Sequence, residues 1–126
     1  MSLTLEDLQD GYCHIFAIAL HLQYGYEIEV ILEERLICSE IVPLRIGIGL
    51  VHAYCLHPHF NVIDARGRRE REQVHSEYKP LSENPFIQKI NAEDLWFLIE
   101  TEPFPTLQTP CIINTLKLLT EAHHGI

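Results

Sequence analysis

The sequence predicts an α+β fold in one domain, and three observations support this. An apolar segment of helical character begins at Cys13 and ends at Gly25, and several stretches of strand-like alternation follow it. Two amphipathic segments near the end of the chain have the periodicity of helices. The chain has 126 residues, close to the commonest size of a domain, so we expect residues 1–126 to bury a single core.

The first helical signals lie before residue 26. Thr4 can cap a short helix that ends near Gly11, because an acidic residue follows it three positions later. A second helix is expected from Cys13 to Gly25, where a glycine is well suited to the residue after a helix end. Apolar residues fill more than one face of this second helix, which predicts that it is largely buried.

A strand-rich region is expected between residues 26 and 67. A charged turn is predicted at residues 33–35, and the glycine-broken segment 46–49 is predicted to be a loop or a bulge. Residues 57–59 are predicted to connect a hairpin. The predicted strands cover residues 26–32, 36–42, 50–56 and 60–64.

The last third of the chain is predicted to contain a long loop and two helices. Residues 68–85 are polar and hold two prolines, so we expect a long excursion that includes one helical turn. Asn91 can cap a helix, and Thr109 with Pro110 can open another. These two helices are joined by a linker at residues 103–105.

Charge and composition limit the classes of partner. The formal net charge is −9, whereas nucleic-acid binding depends on clustered Lys and Arg, so we expect no nucleic-acid partner. One basic cluster is interleaved with glutamates, which favours a salt-bridged surface and leaves a contact to an anionic substrate group open. The cluster contains Arg66, Arg68, Arg69 and Arg71, with Glu70 and Glu72 between them.

The sequence also predicts a cytoplasmic protein with free thiols. It contains no apolar run of about 18 residues, and its N-terminus is acidic where a secretory signal would be basic, so we expect no membrane partner. The four cysteines are isolated from one another, which argues against a disulfide framework. They are Cys13, Cys38, Cys55 and Cys111.

Cys13 is the strongest candidate for chemistry because it stands where a polar turn meets the start of a helix. The positive end of the helix dipole and a nearby imidazolium would both favour a thiolate, lowering the pKa of the thiol from about 8.5. The free backbone N–H of Cys13 can also help to stabilise an oxyanion.

His52 and Asp64 are the candidate partners of this thiol. They are symmetric about position 58, so antiparallel pairing across residues 57–59 would make them cross-strand neighbours. The pattern therefore predicts a Cys13–His52–Asp64 triad in which His52 is the base and Asp64 orients it.

Three short motifs in this order resemble the core of the transglutaminase-like superfamily, which belongs to the papain-like cysteine hydrolases. They are Gly11-x-Cys13-x-x-Phe16-Ala17, His52-Ala53-Tyr54 and Val62-Ile63-Asp64. The resemblance covers roughly residues 9–67. It implies a helix bearing Cys13, packed on an antiparallel sheet of about three to four strands, with additional C-terminal helices. It also implies acyl transfer, amide hydrolysis or deamidation on a protein, peptide or other amide substrate, without a cofactor.

The sequence departs from the family pattern at a few positions. Tyr54 stands where the family more often has Trp, and His14 follows the cysteine where Gly or Trp is usual. Papain-like enzymes place a Gln before the cysteine, and Gln9 matches that position only weakly. The candidates for oxyanion or substrate contacts are Gln9, Tyr12, His14, Tyr54 and Arg66.

Other interpretations of the same residues remain open at this point. Cys13 can be a small buried hydrophobe, His52 a core histidine, and Asp64 a turn former or an arginine partner. A zinc site near His52, Cys55, His57 and His59 is disfavoured, because strand alternation points residues 52 and 55 to opposite faces and no CxxC element is present. We therefore expect no metal. A non-catalytic protein-interaction domain of the same fold is the remaining alternative.

Overall fold

The computed structural model describes residues 4–9, 11–37, 45–58, 61–82 and 84–122. Within these ranges it confirms an α+β fold and has five strands, where three to four were expected. The helices are α1 (Leu5–Gln9), α2 (Cys13–Tyr24), α3 (Arg71–Tyr78), α4 (Ala92–Ile99) and α5 (Pro110–Ala122), with a 3₁₀ turn at Lys79–Leu81. The strands are β1 (Glu27–Ile37), β2 (Arg45–Leu56), β3 (Val62–Asp64), β4 (Gly67–Arg69) and β5 (Phe86–Ile90).

Helix α2 is the central element of the domain, as its apolar sequence predicts. Its first eight residues are all buried. Gly25 ends the helix in the left-handed region with φ of 75°, and its backbone N–H donates to the carbonyl of His21. This conformation is easily reached by glycine and rarely by other residues, so Gly25 fixes the length of α2.

The sheet is antiparallel, in the order β4-β3-β2-β1-β5. The predicted turn at residues 33–35 is wrong, because β1 runs through them and pairs with residues 47–49 of β2. Arg35 forms an ion pair with Glu33 and its side chain lies against Gly49. The opposite charges of Glu33 and Arg35 therefore pair within β1, and the strand continues through these residues. Residues 38–42 of the predicted second strand lie outside the described residues.

The predicted loop at residues 46–49 is also wrong, since these residues belong to β2. A bulge is present a little further along the same strand. Ile31 is opposite His52, whereas Leu32 is opposite Leu50, so Val51 is the extra residue. Bulges often redirect a neighbouring side chain, and this one lies immediately before His52.

Helices cover both faces of the sheet. Val30, Ala53 and Ile63 belong to one apolar cluster with α2, and α2 also packs against α4 and α5. Ile31 and Tyr54, on the opposite face, cluster with Val74 of α3. None of the helices in the described ranges is long and apolar enough to cross a bilayer.

The region predicted as a long loop contains regular structure. Strand β4, helix α3 and the 3₁₀ turn lie within residues 68–85, apart from Gly67, where β4 begins. Val74 is the only fully buried residue of α3. Because α3 lacks an apolar stripe, its sequence carries no helical period, and its anchoring comes from ion pairs with distant residues.

Candidate active site

His52 lies in the interior of β2, 1% exposed, on the face of the sheet that α3 covers. Its Nε2 atom is 3.1 Å from Oδ2 of Asp64 at the end of β3. The two residues are not directly opposite, because Cys55 pairs with Ile63 and Leu56 with Val62. The strands are therefore symmetric about position 59 and not 58, and His52 reaches Asp64 diagonally. Their even separation still places both side chains on one face.

Asp64 is buried and accepts hydrogen bonds from three groups. Its Oδ1 accepts from the backbone N–H of Arg66 at 2.9 Å, and its Oδ2 accepts from Nη2 of Arg69 at 2.9 Å. Burial acts to raise the pKa of Asp64, but the hydrogen bonds from His52 and Arg69 hold it below its ordinary value. Asp64 is thus a turn former and an arginine partner, as one alternative expected, and it also contacts His52.

The ionised state of Asp64 fixes the tautomer of His52. A carboxylate only accepts hydrogen bonds, so Nε2 of His52 must carry the hydrogen that it shares with Oδ2. When the ring is neutral, the lone pair is then on Nδ1. Nδ1 is buried and has no hydrogen-bond partner among the described residues. His52 is therefore not a fully satisfied core histidine.

Cys13 is the first residue of α2 and is 4% exposed. Burial raises the pKa of its thiol to about 11, although the backbone amides of Ala53, His14 and Cys13 itself favour the thiolate. The expectation that the helix start would lower this pKa is wrong for this conformation, because the loss of solvation outweighs the helix-end amides. In this structure Cys13 is a protonated thiol at neutral pH.

The structure brings two of the three predicted residues into contact: His52 and Asp64 meet on the face of the sheet that α3 covers, whereas Cys13 belongs to the apolar cluster on the α2 face. The sulfur of Cys13 is within reach of the backbone amide of Ala53, the residue after His52, and it senses the charge of Asp64. The start of α2 therefore lies against β2 at Ala53, on the face opposite to the side chain of His52. His52 and Asp64 are in direct contact, whereas Nδ1 of His52 makes no hydrogen bond to the thiol.

The sequence did not indicate two further contacts of the site. The ring of Tyr78 is stacked on that of His52, with centroids 3.9 Å apart and planes at 7°. Glu77, its neighbour in α3, accepts from Nη1 of Arg69 at 2.6 Å and forms an ion pair with Arg66. The interleaved Arg and Glu residues predicted a salt-bridged surface, but no local pattern linked that surface to Asp64.

Three of the candidates for oxyanion or substrate contacts lie at the start of α2 or shortly before it. Gln9 is the last residue of α1, and Tyr12 directly precedes α2. His14 is buried between the rings of Tyr12 and Trp96, and its Nε2 is 3.1 Å from Oε1 of Glu100. Burial lowers the pKa of His14. The Nε2 atom of His14 is therefore occupied by Glu100, the residue that directly follows α4.

The other two candidates lie on the side of the sheet that α3 covers. The hydroxyl of Tyr54 donates to Oε1 of Glu29 at 2.6 Å and accepts from Nε2 of His75 at 2.8 Å. Arg71 holds the same glutamate through two hydrogen bonds, at 2.7 and 3.0 Å. Tyr54 thus belongs to a buried network that anchors α3, and Arg66 pairs with Glu77.

The residues considered for zinc point in different directions. The thiol of Cys55 donates to the carbonyl of Ala17 in α2 at 3.3 Å, whereas His52 lies on the opposite face. His59 is outside the described residues. Among the residues that are described, no group of three or more His, Cys, Asp or Glu side chains has a geometry that could hold a metal ion.

No family model matches the chain, and no curated protein or solved structure is significantly similar to it.

Proposed function

We propose that the chain is a thiol-dependent hydrolase or acyltransferase of the transglutaminase-like, papain-like type. Cys13 is the nucleophile, His52 the general base and then acid, and Asp64 the orienting group. The observation that supports this most directly is the state of His52. Its Nε2 is held by an ionised Asp64, and its Nδ1 is buried and has no hydrogen-bond partner among the described residues.

The proposed reaction begins with attack of Sγ on a carbonyl carbon. The proton of the thiol passes to Nδ1 of His52, and the S–C bond forms as the carbonyl π electrons move to oxygen. The tetrahedral intermediate collapses, the C–N or C–O bond breaks, and His52 returns its proton to the leaving group. Water or an amine then attacks the thioester, giving an acid or a new amide and regenerating the thiol.

The oxyanion of the intermediate needs hydrogen-bond donors near the sulfur. The backbone amides of Cys13 and His14 already favour a negative charge there, and they lie at the positive end of a helix of 12 residues. The substrate class is therefore an uncharged carbonyl that becomes anionic on attack. An amide of a protein or peptide fits this description.

The setting that suits this proposal is a reducing one, because the nucleophile must remain a thiol. Cys13, Cys55 and Cys111 are free. The net charge of −9 supports a substrate other than nucleic acid. We propose the cytoplasm as the location on these grounds.

A second candidate function is a non-catalytic protein-interaction domain of the same fold. The burial of Cys13 and the pKa of about 11 that follows from it favour this alternative. In that case the thiol is a core group and His52 stabilises the sheet only.

The two candidates predict different reactivity of Cys13. The native protein would be treated with iodoacetamide across pH 5–11, and the alkylated cysteines would be mapped by mass spectrometry. A catalytic pair predicts selective labelling of Cys13 with a midpoint well below pH 8, because His52 accepts the thiol proton. Burial alone predicts a midpoint near 11.

The variant His52→Ala tests whether the histidine is responsible. Under our proposal, the labelling of Cys13 at pH 7 is lost in this variant. Cys111, which is partly exposed at the start of α5, serves as the internal control and keeps its native rate. Labelling of Cys13 that is no faster than that of Cys55 or Cys111, or that requires unfolding, would exclude the enzyme.

A further inference from the structure

Asp64 would be an isolated buried charge without Arg69. Its side chain is 2% exposed, and the backbone N–H of Arg66 brings no net charge. A buried carboxylate that lacks a cation takes up a proton or strongly destabilises the folded state. Arg69 supplies this cation, and its Nη2 contacts the same Oδ2 atom that accepts from His52.

Arg69 is itself held in place from two sides. Its side chain is 12% exposed, and Nη1 donates to Oε2 of Glu77 at 2.6 Å while Nη2 donates to Asp64. The planar guanidinium of Arg69 is already fixed between two carboxylates. It therefore loses little further conformational freedom in holding Asp64. Arg69 therefore connects α3 to the carboxylate that orients His52.

We propose that Arg69 is a positioning residue of the site, which keeps Asp64 ionised and fixed so that His52 holds its hydrogen on Nε2 and keeps Nδ1 as the basic nitrogen. This inference rests on the proposed function. It assigns a role to one member of the arginine cluster, whereas Arg71, two residues later, holds Glu29 in the separate network around Tyr54.

The charge of Arg69 also acts on the protons of the site. A positive charge favours loss of a proton from any nearby group, so removing it is expected to raise the pH at which the thiol of Cys13 loses its proton. Removing the negative charge of Glu77 is expected to lower this pH. The charged or titratable groups that surround His52 and Asp64 are Cys13 from α2, Tyr54 from β2, Arg66 from the β3–β4 turn, Arg69 from β4, and Glu77 and Tyr78 from α3.

The experiment measures the rate of iodoacetamide labelling at Cys13 between pH 5 and 10 in the full chain. Arg69→Gln is expected to raise the midpoint by about one pH unit, which makes labelling about tenfold slower below the midpoint. Arg69→Lys keeps the charge and is expected to restore most of the native midpoint. The matched control is Arg71→Gln, which removes an arginine from the same region without touching Asp64 and keeps the native midpoint.

Glu77→Gln gives a second measurement that does not depend on the folding of Arg69 variants. Glu77 is about one third exposed, with 32% of its side-chain surface accessible, so its replacement is expected to lower the midpoint by roughly half a unit. An unchanged midpoint in Arg69→Gln, an equal shift in Arg71→Gln, or a shift upward in Glu77→Gln would overturn the assignment. Failure of the unmodified chain to label selectively at Cys13 would instead overturn the proposed function, and this inference with it.

Discussion

Asp64 Oδ2 accepts from His52 Nε2 at 3.1 Å and from Arg69 Nη2 at 2.9 Å, so one buried oxygen joins the imidazole to the guanidinium. The ring of His52 cannot rotate about χ2 without losing this contact and its stacking on Tyr78. Nε2 is therefore a donor to Asp64, and Nδ1 is the ring nitrogen that the proposed reaction uses as the base.

Asp64→Asn is expected to destabilise the fold by about 3 kcal/mol at pH 7, because Arg69 loses one of its two carboxylates while it remains largely buried. The pKa of Asp64 is lowered by folding, so its charged form stabilises the native state above the ordinary pKa of about 3.9. That contribution disappears as the pH falls through the lower pKa of the folded state. Urea unfolding of the native chain and the variant at pH 7 and pH 3 measures both effects.

In Asp64→Asn the loss of stability on acidification should be smaller than in the native chain. Glu121→Gln is a suitable control, because Glu121 is exposed near the end of α5, and its replacement is expected to change stability by no more than about 0.5 kcal/mol. If Asp64→Asn is as stable as this control at pH 7, the ion pair between Asp64 and Arg69 makes no net contribution to the free energy of unfolding.

Tyr54→Phe is expected to cost about 1–3 kcal/mol, because it keeps the ring but removes the hydroxyl that links Glu29 to His75. The buried carboxylate of Glu29 then keeps only its bonds to Arg71 among the hydrogen bonds described for it. Urea unfolding at pH 7 gives the difference. Tyr24→Phe is the matched control, since Tyr24 is 46% exposed and should change stability by about 0.5 kcal/mol or less. Equal losses in the two variants would contradict the role of the buried network.

Gly25→Ala tests the end of α2 without disturbing any packing. No atom lies within 4 Å of a β-carbon placed at this position, so the cost comes only from the left-handed φ of 75° and is expected to be roughly 1 kcal/mol. Thermal or urea unfolding measures the difference. Gly11→Ala provides the comparison, because a β-carbon at that position is equally unobstructed and no left-handed φ constrains it. A cost for Gly11→Ala as large as that for Gly25→Ala would refute the backbone explanation.

The sequence carries enough local information to predict the core of the fold. The apolar run from Cys13 to Gly25 has helical length and a suitable end, and it forms the buried helix. Alternation indicates the faces of β2 and β3, so the even spacing of His52 and Asp64 correctly places them together. Register is less accessible, because it depends on the conformation of the hairpin connection, and the predicted pairing is wrong by two residues: Cys55 pairs with Ile63 and not with Asn61.

Long-range electrostatics and burial account for what the sequence does not reveal. The polar sequence of helix α3 predicts a loop, since its partners Glu29 and Asp64 are separated from it in sequence and act through Arg71 and Arg69. The helix end predicts a lowered pKa for Cys13, whereas the burial that the apolar sequence of α2 also predicts acts in the opposite direction, and the sequence does not show which effect is larger. Burial reverses the direction of this pKa shift.

The bulge at Val51 has a consequence for how the domain tolerates change. It shifts the alternation of β2 by one residue. Residues on the same face are therefore odd-numbered on one side of the bulge and even-numbered on the other. Deleting Val51 would keep His52 opposite Ile31 and Leu50 opposite Leu32, so both halves of β2 are expected to stay on the faces that they occupy now. We therefore expect β2 to tolerate the loss of this one residue without turning His52 away from Asp64.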